Sequence, residues 1–472
     1  MFIGRKQELE SLEKIYSKNG LGMTVIYGRR RVGKSTLITE FIKDKRAIYY
    51  IATKIGAENN TALFAEQAFS VLDETIADVT FTSIENVLDL ITKKLPQEKI
   101  IIAIDELPYW AEADEGLLSI IQKYMDSRWN SKNLMIILCG SSLSFMTSKV
   151  LSEKSPLFGR RDSQIKLEPF DYLESALFTP EYTYEEKAIC YGITGGIAKY
   201  LSLLNPDESL HDNIVRLFLQ SDGYLYDEPH NLLTQEFTDV TLVNNIIEAV
   251  ANGANSVNLI SDKVKASSQT VIYFLDKLIT VGLVEKKNCI TEEKNKKKTQ
   301  YILKDTMLKF WYEFIPKAQS IIAIGQGRKY YEKNILPLLH LYMGNIFEQM
   351  CRYYTLKEGI NEKFGSFITA VGNWWGMESY VDNSNEKIYQ TADIDVVAIS
   401  DIDHSAVIGE CKFRNEKIDK GIYDVLVRRS SLISSKYRVS KFIFFSLSGY
   451  TEWFKNLDSK DVLLLTLNDL YQ

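Results

Sequence analysis

The sequence lacks any apolar run approaching the roughly 20 residues of a membrane span, which excludes a helical membrane protein. It lacks paired cysteines as well. Cys139, Cys190, Cys289, Cys351 and Cys411 are scattered, odd in number and never spaced CxxC. A disulfide framework and a zinc site are therefore not expected, and the thiols read as reduced ones in a cytoplasmic protein. The opening MFIGRKQELE has no apolar stretch of the kind a signal peptide needs, which agrees with a cytoplasmic location. Basic excess is missing too. A formal net charge of −6 gives no support for broad, whole-surface nucleic-acid binding, so any such contact rests on local patches. There are no internal repeats, low-complexity tracts or long linkers, which argues against a pure scaffold.

What is present is ordinary for a globular chain: 472 residues, 45% hydrophobic and 25% charged. That length exceeds one hydrophobic core and predicts two to four domains.

The segment MTVIYGRRRVGKSTLITEFI reads as a short apolar strand, a loop, then an apolar helix. Gly28 to Ser35 spell G-x-x-x-x-G-K-S, and the strand–loop–helix context separates this from a chance glycine-rich turn. Gly28, Arg29, Arg30, Arg31, Val32, Gly33, Lys34, Ser35 and Thr36 would wrap the phosphates of ATP with backbone amides and a helix N-terminus. Lys34 would reach the β- and γ-phosphates and Ser35 would ligate Mg²⁺.

Downstream, KIIIAIDELPYW is a continuously apolar strand ending in Asp105 and Glu106, where ligands bind in open α/β sheets. Asp105 would hold Mg²⁺ and Glu106 would polarise the attacking water; a plain helix-capping pair is the alternative. NLMIILCGSS is a further buried strand, after which Ser141 or Ser142 either senses the γ-phosphate or serves as a turn residue. In SPLFGRRDSQIKLEPF, Arg160 and Arg161 are either catalytic fingers or a solvated surface pair. GRKQELESLEKIY is an amphipathic helix ahead of the first strand.

FIGRKQELESL, GRRRVGKST, IIIAIDELPYW, LCGSS, LFGRR and TGGIAKYL occur in that order. Together they resemble the archaeal-type ATPases of the P-loop superfamily, relatives of the AAA+ and STAND NTPases, over roughly the first 230 residues. The resemblance implies a sheet with the Asp105 strand inserted beside the P-loop strand, followed by a helical lid. Ala198 stands where the family's lid motif has proline, and TGGIAKYL holds no arginine to act as a second sensor.

From Thr241 the pattern becomes three short helices: TLVNNIIEAVA, SVNLISDKVKA and SSQTVIYFLDKLITVG, the last capped by Ser267 or Ser268. GLVEKK and TQYILKD follow as two strands. Three helices and a hairpin make a winged helix-turn-helix. Gln269, Thr270, Tyr273 and Lys277 would face a major groove, and Lys294, Lys296, Lys297 and Lys298 would sit on phosphates or form a solvated tip. A protein–protein role for this module stays open.

Near the end, GNIFEQMCRYY places Glu348 on an apolar helix. TADIDVVAIS puts Asp393 and Asp395 on one strand face, and VIGECKF puts Glu410 and Lys412 on one face of the next. Charges seldom go inside unless paired or holding a metal. Asp395 and Glu410, with Glu348 completing the shell, suit Mg²⁺, and Lys412 would orient the attacking water or stabilise developing charge. GNIFEQM, WWG, ADIDVVAI and GECKF resemble the PD-(D/E)xK nuclease superfamily over roughly residues 335 to 450, with Asp393 where the family usually has glutamate. The competing interpretation is a buried Glu410–Lys412 ion pair with no metal.

The expectation for the whole chain is α/β: a P-loop NTPase parallel sheet with helical lid over 1–235, a winged helix over 236–318, and a restriction-endonuclease-like α/β domain over 319–472. ATP and Mg²⁺ are the expected cofactors. Nucleic acid, DNA in preference to RNA, is the expected partner, and assembly into a homo-oligomer is compatible with the motifs. The expected function is an ATPase coupled to a metal-dependent nuclease. The alternatives are a STAND-like nucleotide switch without cleavage activity and an ATP-dependent transcription regulator.

Overall fold

The computed structural model describes residues 2–72, 83–292, 295, 298–381, 386–457 and 459–472. The chain divides into two compact units, one of Met1–Phe170 with Ile197–Ser202, the other of Asp171–Gly196 with Leu203–Gln472. No helix among the described residues is long and apolar enough to cross a membrane.

The continuously apolar segments of the first unit form the middle of its sheet. Its strands are β1 (Gly22–Tyr27), β2 (Ala47–Ile51), β3 (Ile100–Asp105), β4 (Leu134–Gly140) and β5 (Ser163–Lys166), in the order β2-β3-β4-β1-β5. All neighbours run parallel. Every residue of β1, β3 and β4 is buried, as strands covered by helices on both faces must be. Each fully buried isoleucine of β3 contributes about 1.5–3 kcal/mol of transfer free energy.

One expectation is corrected here. The Asp105 strand does not lie beside the P-loop strand; β4 intervenes, pairing with β3 on one side and β1 on the other. Since all three strands are parallel, their C-terminal ends share one edge. The residue that follows β4, Ser141, thereby stands between the loop after β1 and the carboxylates after β3.

The second unit begins with helices and continues through Val240–Ala251, Val257–Val264 and Ser268–Thr280. Ser267 caps the third of these, its hydroxyl accepting from the Thr270 amide at 3.1 Å. Strands β6 (Val284–Lys287) and β7 (Gln300–Leu303) then form an antiparallel hairpin. Lys294, Lys296 and Lys297 lie outside the described residues. Lys298 is paired with Glu292 at 2.6 Å.

A second sheet follows, built from β8 (Ala370–Val381), β9 (Lys387–Ser400), β10 (Ser405–Lys412), β11 (Arg438–Ser446) and β12 (Val462–Thr466), in the order β12-β11-β10-β9-β8. β8, β9 and β10 are joined antiparallel, while β11 and β12 run parallel to β10. The helix Leu339–Ile360 lays Tyr342, Met343, Ile346, Phe347, Met350 and Tyr354 inside, an apolar stripe at helical spacing. Cys289 and Ile290, from the chain after β6, join the core of this sheet with Trp374, Ile394 and Ile408.

Candidate functional sites

The loop between β1 and the helix Lys34–Ile42 depends on two glycines. A Cβ on Gly28 would stand 2.4 Å from the Leu167 carbonyl oxygen, and Gly33 has φ 95°, a conformation other residues adopt only with strain. Arg31 is also left-handed at φ 71°. Its carbonyl accepts from the Lys199 amide at 3.1 Å, so Ile197–Ser202 is fastened to the loop by backbone. Arg5 braces the other side. Its Nη2 donates to the carbonyls of Val32 (3.1 Å) and Glu168 (2.8 Å), and its guanidinium lies 3.9 Å from the Phe170 ring centroid.

Lys34 folds its ammonium back onto the carbonyls of Gly28 (3.0 Å) and Arg29 (2.9 Å). Arg30 donates to the Tyr109 hydroxyl at 2.9 Å and Arg31 to that of Tyr200 at 3.5 Å. Arg29 and Val32 are buried, whereas Ser35 and Thr36 are exposed. Asp105 is fully buried and saturated with donors: the Ser35 hydroxyl at 2.5 Å, the Tyr49 hydroxyl at 3.0 Å and the Glu106 amide at 2.9 Å. Burial, then the Asp105 charge, pushes the Tyr49 hydroxyl far up, so it remains a donor.

Glu106 occupies a left-handed position at φ 50°. One of its oxygens accepts from the Ser141 hydroxyl at 2.7 Å and the Ser141 amide at 3.2 Å. Ser141 is thus a partner of Glu106, while Ser142 caps the next short helix by accepting from Phe145 at 3.4 Å. The structure brings together Gly28 to Ser35, Asp105, Glu106 and Ser141.

It does not bring in the two arginines. Arg160 forks onto both oxygens of Asp126 at 2.8 Å each and donates to the carbonyls of Pro156 and Phe158. That pairing holds the Asp126 carboxyl below its ordinary value. Arg161 donates to the Leu151 carbonyl at 3.1 Å. Neither guanidinium bonds a loop residue among those described. Asp126 supplies Arg160 with a bidentate acceptor.

The second cluster stands in the C-terminal sheet. Gly409 pairs with Val396, which sets Glu410 on β10 beside Asp395 on β9. Asp395 is buried and accepts from the Cys411 amide at 2.9 Å. Burial, then Glu410 and Glu348, raises its carboxyl well above the ordinary range. Lys412 is ion-paired with Glu410. Burial opposes the Lys412 charge, but Glu410 and Asp395 outweigh it and hold the ammonium protonated.

Glu348, on the helix Leu339–Ile360, accepts from Arg352 Nη1 at 3.2 Å, and the same nitrogen donates to the Asp395 carbonyl at 2.7 Å. Asp393 pairs instead with Arg429 at 3.2 Å. Asp395, Glu410 and Lys412 therefore lie on adjacent strands, and Glu348 is linked to the Asp395 backbone through Arg352. Their carboxylates are hard-oxygen donors of the kind Mg²⁺ takes. Yet among the described residues no three His, Cys, Asp or Glu side chains are grouped as a metal-ligand set. Glu410 is turned to Lys412 and Glu348 to Arg352.

Sequence reasoning missed Arg5, Tyr49, Tyr200 and Arg352. Arg352 had a signal, since it lies one helical turn after Glu348 on the same face. Arg5, Tyr49 and Tyr200 reach their sites only through tertiary packing.

Residues 2–204 match the family described as an ATPase domain predominantly from Archaea. Residues 311–422 match one described as archaeal and bacterial proteins of unknown function. The uncharacterized protein MJECL04 of Methanocaldococcus jannaschii is 28% identical over 478 residues, spanning 99% of this chain and 100% of that protein. An uncharacterized ATP-binding protein of the same organism, MJ0423, is 48% identical over 46 residues, 10% of this chain and 78% of its own. The Walker-type ATPase PABY2304 of Pyrococcus abyssi has a TM-score of 0.49 and 19% identity, covering 66% of this chain and 96% of that one. Residues 2–204 are thus similar to archaeal-type ATPase domains, and the protein is an ATP hydrolase.

Proposed function

We propose that ATP turnover in the first unit is Mg²⁺-dependent and governs a metal-dependent nucleic-acid-cleaving site in the C-terminal domain. In the ATPase, Ser35 and Asp105 offer adjacent hard oxygens and would hold Mg²⁺, which would neutralise phosphate charge. Lys34 exchanges two loop carbonyls for the β- and γ-phosphates. Glu106, aimed by Ser141, orients the attacking water.

The observation that carries the cleavage half is the meeting of Asp395, Glu410 and Lys412 on adjacent strands with Glu348 on the covering helix. Asp395, Glu410 and Glu348 would hold the divalent ion, which would supply Lewis-acid activation of a phosphodiester. Lys412 remains cationic beside them and stabilises developing charge.

A second reading, a nucleotide-dependent switch without cleavage, is favoured by one observation: Glu410 and Glu348 are each neutralised by a cation. The experiment compares Asp395→Ala, Glu410→Ala and the double variant on single- and double-stranded DNA and RNA with Mg²⁺ or Mn²⁺. Cleavage by the parent, lost in each single variant and no worse in the double, supports the nuclease. No cleavage by the parent on any substrate leaves the switch.

A further inference from the structure

ATP hydrolysis gains from a cation that answers the charge gathering on the γ-phosphate as it transfers, in addition to the loop lysine. Arg160 and Arg161 are bonded to Asp126 and to backbone carbonyls instead. The loop itself carries three arginines, and they go three ways. Arg29 is buried. Arg31 donates to the Tyr200 hydroxyl at 3.5 Å and lies 5.9 Å from that ring centroid, on the side of Ile197–Ser202. Arg30 reaches the helix that starts after Glu106, its Nη2 donating to the Tyr109 hydroxyl at 2.9 Å.

The Tyr109 amide donates to the Glu106 carbonyl at 3.0 Å, so phenol and carboxylate belong to one turn of backbone. Lys54, which follows β2, brings its ammonium to 5.0 Å from the Tyr109 ring centroid. β1 and β2 lie on opposite sides of β3 in the sheet, so a cation reaches Tyr109 from the loop after each. The hydroxyl that Arg30 bonds is a neutral, single acceptor, whereas Asp126 takes Arg160 with two charged oxygens. A guanidinium leaves a phenol more readily than a carboxylate fork, and a phosphate oxygen offers it the stronger, charge-assisted bond.

We infer that Arg30 is the catalytic arginine of this ATPase, supplied by the P-loop of the same chain, and that Tyr109 is the positioning residue that keeps it on the Glu106 side. The assignment rests on Glu106 orienting the attacking water and adds the group that answers the charge this attack creates. The water oxygen bonds to the γ-phosphorus while the bond to the bridging oxygen breaks, and that electron pair leaves with ADP. Arg30 takes no proton in this step, because its guanidinium stays charged. It donates to the γ-oxygens as their charge grows, a contact stronger in the transition state than in bound ATP.

The test uses the full chain with Mg²⁺ and two ligands: a non-hydrolysable ATP analogue for the ground state, and ADP with aluminium fluoride for the transferring phosphoryl group. Arg30→Ala should lower kcat by about 10² to 10³ and weaken the aluminium fluoride complex by a similar factor, with affinity for the ATP analogue held within about threefold. Arg30→Lys should recover little, since an ammonium lacks the fork. Tyr109→Phe keeps the ring and removes the hydroxyl, so kcat should fall roughly threefold to tenfold at unchanged KM. Parent-like kcat in Tyr109→Phe removes its positioning role. Mixing Arg30→Ala with Lys34→Ala should give no gain in turnover, because both residues act within one chain; a gain overturns that. Parent-like affinity for aluminium fluoride in a folded Arg30→Ala protein overturns the assignment. Equal weakening of both ligands does so too, since Arg30 is then a ground-state phosphate contact. Glu106→Gln is measured beside them. Parent-like turnover there, with Arg30→Ala impaired, removes the role of Glu106 and leaves Arg30; the reverse removes Arg30 alone.

Discussion

The two charged centres of this protein satisfy their polar groups in opposite ways. Around the P-loop, Asp105 and Glu106 are neutralised by hydroxyls and amides: Ser35, Tyr49 and Ser141, with the Glu106 amide on Asp105. In the C-terminal sheet, Glu410 and Glu348 are neutralised by full positive charges, Lys412 and Arg352. Hydroxyl donors release a carboxylate at low cost when a phosphate or cation arrives. A half-buried ion pair resists, because separating it leaves a partly desolvated charge at a cost of about 2 kcal/mol. The ATPase centre is therefore poised for a ligand, while the acidic cluster is held shut by its own cations.

The sharpest way to break this contrast is Lys34→Ala. Among the described residues Lys34 bonds two loop carbonyls, so its loss spares the apolar core and removes the ammonium proposed to reach the phosphates. ATP affinity by calorimetry should fall at least about a hundredfold, with the unfolding midpoint nearly unchanged. Equal affinity in the two proteins rejects the assignment.

Next in size is Glu106→Gln. Glutamine keeps the Ser141 contact but is a far weaker acceptor for the attacking water. Turnover should drop by about 10² to 10³ with ATP affinity intact, the pattern of an interaction made only in the transition state. Parent-like turnover would reduce Glu106 to a helix cap.

The same contrast explains what was legible in the sequence. The P-loop is one continuous segment, so eight residues announced the fold, the loop and its lysine together. Asp105 and Glu106 were readable because carboxylates end the apolar run at its C-terminal end, where ligands bind in open α/β sheets. The position of β4 between them and the P-loop was not readable, because strand order is a tertiary property that the apolar run of NLMIILCGSS does not encode. Period-two spacing exposed Glu410 and Lys412, and the antiparallel register brought Asp395 beside them. The same spacing left both a metal site and an ion pair open for Glu410 and Lys412, and only the i, i+4 spacing of Glu348 and Arg352 signalled their pairing. The docking of Cys289 and Ile290 into a sheet about a hundred residues downstream left no local pattern at all.

On the C-terminal side the corresponding probe is Lys412→Ala. The pair is largely but not wholly sequestered, with Lys412 25% and Glu410 13% exposed, so breaking it should cost about 2 kcal/mol in urea unfolding. Mn²⁺ should return part of that loss, because a cation at Glu410 and Asp395 replaces the missing ammonium. A loss that Mn²⁺ does not reduce means the cluster is an ion-pair network and nothing more.

The smallest effect is expected at Arg160, and it separates the two centres in a different way. A finger arginine must be free to reach the γ-phosphate, yet this guanidinium is forked onto Asp126 and tied to two carbonyls. Exposed pairs of this sort contribute little to stability, so Arg160→Ala should leave the unfolding midpoint close to that of the parent. Within one chain it should also leave turnover within about twofold, since no step of hydrolysis draws on a group held elsewhere. A neighbouring chain is the one route by which Arg160 would matter. In that case specific activity climbs with protein concentration, and mixing Arg160→Ala with Lys34→Ala restores turnover at the interface where the intact arginine meets the intact loop. Activity that is flat across a hundredfold range of concentration, with no gain on mixing, assigns Arg160 to Asp126 alone and leaves Lys34, Ser35, Asp105 and Glu106 as the ATPase machinery.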